Sequence, residues 1–81
     1  PEYSAWLEAE RQEFRVLALR LANTLVSGSE GEDRIVHLRR LIALDPLNEQ
    51  AAAALIKALM ELGRRNEAHE VAGLTERLLQ R

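Results

Sequence analysis

Large apolar residues in the first third of the chain recur at a helical spacing. Steps of three, four and seven residues separate them, and these steps place side chains on one face of an α-helix. The residues concerned are Tyr3, Leu7, Phe14, Leu17, Leu21 and Leu25. The pattern predicts a first helix over residues 3–27, with this face against the rest of the fold. It ends near Gly28 and Gly31, because each glycine costs about 1 kcal/mol in a helix interior.

A second helix is predicted over residues 30–44. Ser29 and Glu32 have the spacing of a capping box, in which the two residues satisfy each other's backbone N–H groups. Ser27 and Glu30 have the same spacing, so the sequence alone does not decide the first residue of this helix to within one turn. Its apolar stripe consists of Ile35, Leu38, Leu41 and Ile42. The helix ends at Asp45-Pro46, because the residue before a proline is pushed out of the α region.

Two further helices are predicted over residues 48–62 and 65–80. Asn48 can cap the first of them, and Gly63 follows its end, where a left-handed residue is favoured. The positions expected to be buried are Ala52, Leu55, Leu59, Leu62, Ala68, Val71, Ala72 and Leu78. No window alternates between apolar and polar residues over a length that would indicate a strand. The chain is therefore predicted to be all-α.

The connections between these helices are short, which makes consecutive helices antiparallel neighbours. Two antiparallel helical hairpins are the expected architecture. The segment Leu44-Asp45-Pro46-Leu47-Asn48 resembles the junction between tetratricopeptide repeats, and Gly63 and Ala68 stand at the glycine and small-residue positions of the repeat that follows it. The preceding repeat departs from the pattern, with Ser29 and Arg34 at those two positions. This resemblance implies a tetratricopeptide-like right-handed stack of about four helices.

Composition excludes several classes of protein. The chain has 81 residues, with 11 Lys+Arg, 13 Asp+Glu, a formal net charge of −2 and no cysteine. Without cysteine there is no disulfide framework and no thiolate metal site. The slightly acidic balance argues against direct binding of nucleic acid or of an anionic membrane surface. No apolar run approaches the roughly 20 residues of a membrane span. We therefore expect a cytoplasmic protein that binds neither nucleic acid nor membrane through this segment.

The start of the sequence suggests that it is part of something longer. It begins at Pro1 without an initiator methionine. We expect residues 1–81 to form a single helical domain and to be a fragment of a longer protein.

Residues with catalytic potential are few. His37 and His69 are the only histidines, they fall on different predicted helices, and neither belongs to a metal-ligand motif. The serines lie at caps and loops, with no base at a recognisable spacing. Arg39-Arg40 and Arg64-Arg65 are the basic candidates for an acidic partner, and solvated helix surfaces are the simpler interpretation. We expect no catalytic, cofactor-binding or metal-binding residues, and no enzyme activity.

The first helix carries a second apolar stripe opposite its main one. If the second helix covers the main stripe, the other needs a different neighbour, which could be the third helix, helices upstream, a protein partner or a second copy of the chain. In the tetratricopeptide alignment, residues of this stripe and of the third helix line the concave groove. The candidate partner-binding residues are Val16, Leu19, Asn23, Val26, Gln50, Ala53, Lys57 and Met60. A homodimer through the first helix is one form that this binding could take.

The chain as a whole resembles the bacterial transcriptional activator domain, the tetratricopeptide-like helical module of antibiotic-regulatory-type transcriptional regulators. The segments that carry the resemblance are Trp6, Glu10-Arg11, Leu38-Arg39-Arg40-Leu41, Asp45-Pro46-Leu47-Asn48-Glu49 and Gly63-Arg64-Arg65-Asn66-Glu67-Ala68. The resemblance implies a non-catalytic module for protein–protein interaction or oligomerisation in a bacterial transcriptional regulator. The alternative is a regulatory tetratricopeptide-like segment of a signalling enzyme or ATPase, where such modules are reused.

Overall fold

The computed structural model describes residues 2–80 and consists of four α-helices. They are α1 (Glu2–Ser27), α2 (Gly31–Leu44), α3 (Glu49–Glu61) and α4 (Arg65–Leu79). No strand occurs between residues 2 and 80. The all-α class is confirmed, and every helix end lies within one residue of its predicted position.

The helices form two hairpins that pack in chain order. α1 packs on α2, α2 on α3, and α3 on α4, and only three or four residues connect one helix to the next. The resulting stack is flat, with extents of 51 × 32 × 13 Å. Its radius of gyration is 15.0 Å, whereas a compact domain of this length would have about 12 Å. The fold is therefore an open stack with much of each helix facing outward.

The core is small and rich in alanine. Of the nine buried hydrophobic residues, four are alanines, and no polar or charged residue is buried among residues 2–80. A first cluster joins α2, α3 and α4 through Ile35, Leu38, Leu55, Leu59 and Ala68. A second cluster joins α1, α2 and α3 through Ala22, Leu41 and Ala51. The small side chains allow the helix backbones to approach closely while the leucines fill the seams.

The turn between α3 and α4 follows the predicted chemistry. Gly63 has φ +74°, in the left-handed region that favours glycine. Its N–H donates to the Met60 carbonyl at 3.0 Å, and the Arg64 N–H donates to the Leu59 carbonyl at 2.8 Å. These two bonds make a Schellman motif, which satisfies carbonyls that the end of α3 would otherwise leave unpaired. The motif fixes the sharp reversal into α4.

The predicted capping box at the start of α2 is wrong. The N-cap residue is Glu30, whose side chain makes no capping hydrogen bond. The Ser29 hydroxyl instead donates to the Val26 carbonyl at 3.0 Å, where it satisfies the end of α1, and the Glu32 carboxylate pairs with Arg64. Both side chains have partners in other elements, so neither is left for the local motif.

Three residues expected in the core are exposed: Leu62, Ala72 and Leu78. Leu62 lies at the C-cap of α3, past the last helical turn. Ala72 and Leu78 lie on α4, whose main packing contact within residues 2–80 is with α3. A helix at the end of a stack buries one face, and that of α4 holds Ala68 and the half-buried Val71.

Loss of the α3 cap should lower stability measurably. The Asn48 side chain accepts a hydrogen bond from the Ala51 N–H at 3.0 Å, which confirms the predicted cap. We expect Asn48→Ala to reduce the free energy of unfolding by about 0.5–2 kcal/mol. Urea titration followed by circular dichroism measures this, with Asn48→Asp as the control that keeps an acceptor at the cap. Equal losses in the two variants would show that the cap contributes nothing.

Candidate protein-interaction surface

The most extensive exposed apolar surface runs along α1. We call it the α1 outer stripe and define it by five residues whose exposed fractions lie between 40% and 74%: Tyr3, Phe14, Leu17, Leu21 and Leu25. Leu7, the remaining member of the predicted main face, is half-buried. In the part of the chain that the structure describes, no helix covers the stripe, since α1 packs on α2 through its other face.

The other face of α1 makes the contact with the core. Ala22 is buried in the second cluster, and Leu19 and Val26 pack against it. The predicted assignment of the two faces of α1 is therefore wrong, because the expected core face is exposed and the expected second stripe supplies the packing. The reason is steric: Ala22 stands beside Leu19 and Val26 on that face, and a small residue at the contact lets α2 approach closely.

Two aromatic residues extend the exposed surface at the start of α1. The rings of Tyr3 and Trp6 stack with centroids 6.3 Å apart and an interplanar angle of 28°. Both residues are more than half exposed. Trp6 therefore does not anchor α1 against another described helix. An exposed aromatic pair of this kind is typical of residues that contribute most to protein interfaces.

The predicted partner-binding residues of α1 divide into two groups. Leu19 and Val26 pack against the core, whereas Val16 and Asn23 are exposed beside them. The Asn23 amide donates to the Leu19 carbonyl one turn earlier, at 2.9 Å. Only the second group is available to a partner.

The candidates on α3 form one exposed face. They follow one another at steps of three and four residues and are Gln50, Ala53, Lys57 and Met60. Lys57 also lines a groove of about 550 Å³ that runs between α3 and the start of α2. The groove walls include Glu30, Arg34 and Glu61, so both charge signs are present. α1 contributes no residue to this groove, and the α1 and α3 candidates are therefore not joined in a single cleft.

An ion-pair network joins α2 to the start of α4. The Arg64 guanidinium donates to both carboxylate oxygens of Glu67, at 2.9 and 2.7 Å. Arg39 donates to the same carboxylate at 2.9 Å, and Arg64 also pairs with Glu32. Two of the basic candidates, Arg39 and Arg64, are therefore occupied within the fold. One part of this network can be read from the sequence, the i, i+3 spacing of Arg64 and Glu67, but its links to α2 depend on tertiary packing.

The network shifts the pKa values of two of its members, Glu67 and Arg64. The hydrogen bonds from Arg64 hold the pKa of the Glu67 carboxyl below its ordinary value of 4.5, and Arg39 acts in the same direction. The same hydrogen bond raises the pKa of Arg64. The network connects α4 to α2. Because its side chains are 32–66% exposed, solvent screens the ion pairs and their contribution to stability is small.

Acidification should reveal the Glu67 contribution. A carboxyl whose pKa is lowered in the folded state stabilises the fold above its ordinary pKa, and this contribution disappears as the pH falls through the lowered value. We expect the stability difference between the wild type and Glu67→Gln to be largest at neutral pH and to shrink from about pH 5 downward. Urea titrations across this range measure it. Glu70→Gln is the matched control, since Glu70 makes no ion pair within residues 2–80. A constant difference for Glu67→Gln would contradict the assignment.

The two histidines lie on separate helices. His37 on α2 lines a shallow groove beside the end of α1, and its buried Nδ1 has no hydrogen-bond partner in the described structure. His69 on α4 is exposed. No group of three potential metal ligands occurs in residues 2–80. Within that same span, no helix is both long and apolar enough to cross a membrane.

Comparison with known proteins gives one clear result. The sequence profile of the family described as bacterial transcriptional activator domain matches residues 3–81. The match covers almost the entire chain and all four helices. No curated protein and no solved structure matches the chain significantly.

Proposed function

The chain belongs to the bacterial transcriptional activator domain family, and from this membership we propose that it is a non-catalytic module through which a bacterial transcriptional regulator contacts proteins. The partner is another protein or a second copy of the chain. This segment does not itself contact DNA. We place its activity in the cytoplasm, where a bacterial regulator meets the transcription machinery.

The observation that carries this proposal is the excess of exposed surface. The accessible surface is 6374 Å², whereas a folded monomer of 9.2 kDa should have about 4,900 Å². The excess is about 30%, and fifteen large hydrophobic residues contribute to the exposed surface in the described part of the chain. Extended apolar surfaces on a folded domain are characteristic of protein interaction sites.

Charge supports a protein partner over a nucleic acid. The net charge is −2, and Arg39 and Arg64 are engaged by carboxylates. A DNA-binding surface would need a cluster of free basic side chains to neutralise phosphates. The exposed face of α3, with Met60 and Lys57 beside the α2–α3 groove, is better suited to a peptide or helix of mixed polarity.

Site-specific photo-crosslinking in bacterial cells tests this proposal. A benzophenone amino acid replaces Met60, which is exposed on the α3 candidate face. The control carries it at Glu76, which is exposed on α4. We expect discrete protein adducts from position 60 and few from position 76. Equal yields at both positions, or adducts to nucleic acid, would contradict the proposal.

A further inference from the structure

Four residues of the α1 outer stripe, Tyr3, Phe14, Leu17 and Leu21, have the spacing of a coiled-coil seam. From Tyr3, steps of four and three residues alternate through Leu7, Glu10, Phe14, Leu17, Leu21 and Thr24, with Glu10 and Thr24 as the polar positions of this seam and Leu25 beside it. This is the seven-residue repeat that keeps one seam of a helix facing a partner helix along its whole length. A helix that only packs on a globular core usually has a broader apolar face with a period near 3.6.

We propose that the α1 outer stripe pairs with the same stripe of a second copy, and that the two α1 helices run antiparallel. This inference rests on the proposed function and specifies its partner and surface. The stripe lies away from the face that holds Ala22, so a second α1 can approach it without displacing α2.

The distribution of charge along α1 determines the orientation. Residues 2–13 contain four glutamates and one arginine, a net charge of −3, whereas residues 14–27 contain two arginines and no acid, a net charge of +2. Of these two arginines, Arg15 donates to the Leu44 carbonyl of α2 at 2.9 Å, so Arg20 is the one that a partner helix meets. A parallel pair places like-charged halves side by side. An antiparallel pair places the acidic half of each helix beside the basic half of the other, which favours that arrangement electrostatically.

The position of Glu10 within the seam also favours the antiparallel over the parallel arrangement. In a parallel pair it faces its own copy, and two carboxylates inside an apolar seam repel each other. In an antiparallel pair centred between Phe14 and Leu17, Glu10 lies beside the partner's Leu21 and Arg20. Glu13 then also comes near the partner's Arg20, so each end of the seam gains oppositely charged neighbours.

The apolar area available supplies about two-thirds of what a standard interface buries on each partner. Aromatic side chains bury about 150–250 Å² each, and Tyr3, Trp6 and Phe14 are 57–74% exposed, which gives about 400 Å². Full burial of a leucine side chain stabilises by about 2.5 kcal/mol, which at about 25 cal/mol per Å² corresponds to roughly 100 Å² of apolar area. The three partly exposed leucines of the stripe therefore add about 150 Å². The sum of about 550 Å² is about two-thirds of the roughly 800 Å² per partner of a standard interface, and the flanking charged side chains contribute the remaining contact.

Sedimentation of the whole chain tests the dimer. We expect the wild type to sediment at twice its 9.2 kDa mass. Leu21→Glu should raise the dissociation constant at least tenfold while far-UV circular dichroism stays unchanged. The matched control is Leu74→Glu, because Leu74 on α4 is 56% exposed against 62% for Leu21; this variant should still dimerise. A monomeric wild type, or equal dissociation of both variants, would overturn the inference.

Disulfide trapping tests the orientation and does not depend on the charged variant. The chain has no cysteine, so any disulfide must join introduced cysteines and shows which positions lie close together in the dimer. An equimolar mixture of Leu7→Cys and Thr24→Cys chains should give mainly the mixed disulfide under mild oxidation, since these positions face each other in the antiparallel pair. Predominant self-linkage of Leu7→Cys would indicate a parallel pair and overturn the proposed orientation.

The experiments distinguish failure of the α1 dimer from failure of the proposed interaction function. If the wild type is monomeric but position 60 still gives protein adducts in cells, the α1 dimer is excluded while the interaction function stands. If the chain dimerises through α1 but position 60 gives no adducts, the α3 face is excluded and the dimer stands. Absence of both results contradicts the interaction function itself.

Discussion

Replacement of Leu59 by alanine is expected to cost about 2–5 kcal/mol in the free energy of unfolding. Leu59 is 0% exposed and lies in the cluster that joins α2, α3 and α4. Truncation removes apolar contacts and leaves a cavity that neighbouring helices can close only in part. A domain of 81 residues has about 4–12 kcal/mol of total stability, so the variant should lie close to unfolding.

Urea titration followed by circular dichroism measures this loss. Leu74→Ala provides the matched control, because the same atoms are removed from an exposed position on α4; it should change stability by less than about 0.5 kcal/mol. Similar losses at Leu59 and Leu74 would mean that the described core is not the one that stabilises the chain.

Ala68→Leu is expected to destabilise the fold by about 1–3 kcal/mol through overpacking. Ala68 is 3% exposed on the inner face of α4, within the same buried cluster as Leu59. A larger side chain there must either push α4 away from α3 or adopt a strained rotamer. Ala68 stands at the small-residue position of the tetratricopeptide pattern, after Gly63, so its energetic role also tests that resemblance.

The control for this substitution is Ala72→Leu, one turn further along α4. Ala72 is exposed, so the added atoms meet solvent and the expected change is within about 0.5 kcal/mol. Thermal unfolding of the two variants gives the comparison. If Ala68→Leu is as stable as Ala72→Leu, α3 and α4 are not in close contact at this position.

Local signals in the sequence are sufficient to predict where the helices begin and end. Asp45-Pro46, Asn48 and Gly63 act through their own backbone or immediate neighbours, so their effects are readable without knowledge of the fold. The capping box at Ser29 failed for the opposite reason. Its two side chains serve the end of α1 and Arg64 on another element, and such competition is set by tertiary packing.

The faces of α1 show the main limit of sequence patterns. Periodicity identifies two apolar stripes on this helix, but it does not say which one meets α2. The larger residues of the outer stripe suggested a core face. In the structure the smaller Ala22 takes the contact, with Leu19 and Val26 beside it. The choice depends on how the surfaces of α2 and α3 fit, which no property of α1 alone determines.

The candidate site was predictable to a similar extent. The exposed set on α3 follows from its helical spacing and from the burial of Leu55 and Leu59 on the opposite face. Two of the four candidates on α1, Leu19 and Val26, belong to the core. The sequence pattern places their face on the outside of the fold, whereas the structure packs it on α2. Whether the exposed residues bind a partner stays a prediction for the crosslinking experiment.

Both the core packing of α1 and the proposed α1 interface depend on which face of α1 points outward. Equilibrium unfolding of Leu21→Glu and Leu19→Glu, compared at a concentration where sedimentation detects only monomer, tests this directly. We predict that Leu21→Glu stays within about 0.5 kcal/mol of the wild type, as expected for a surface position. Leu19→Glu should lose more than about 2 kcal/mol, because it forces a carboxylate against the core. The reverse order would show that the outer stripe is the buried face and would contradict the account.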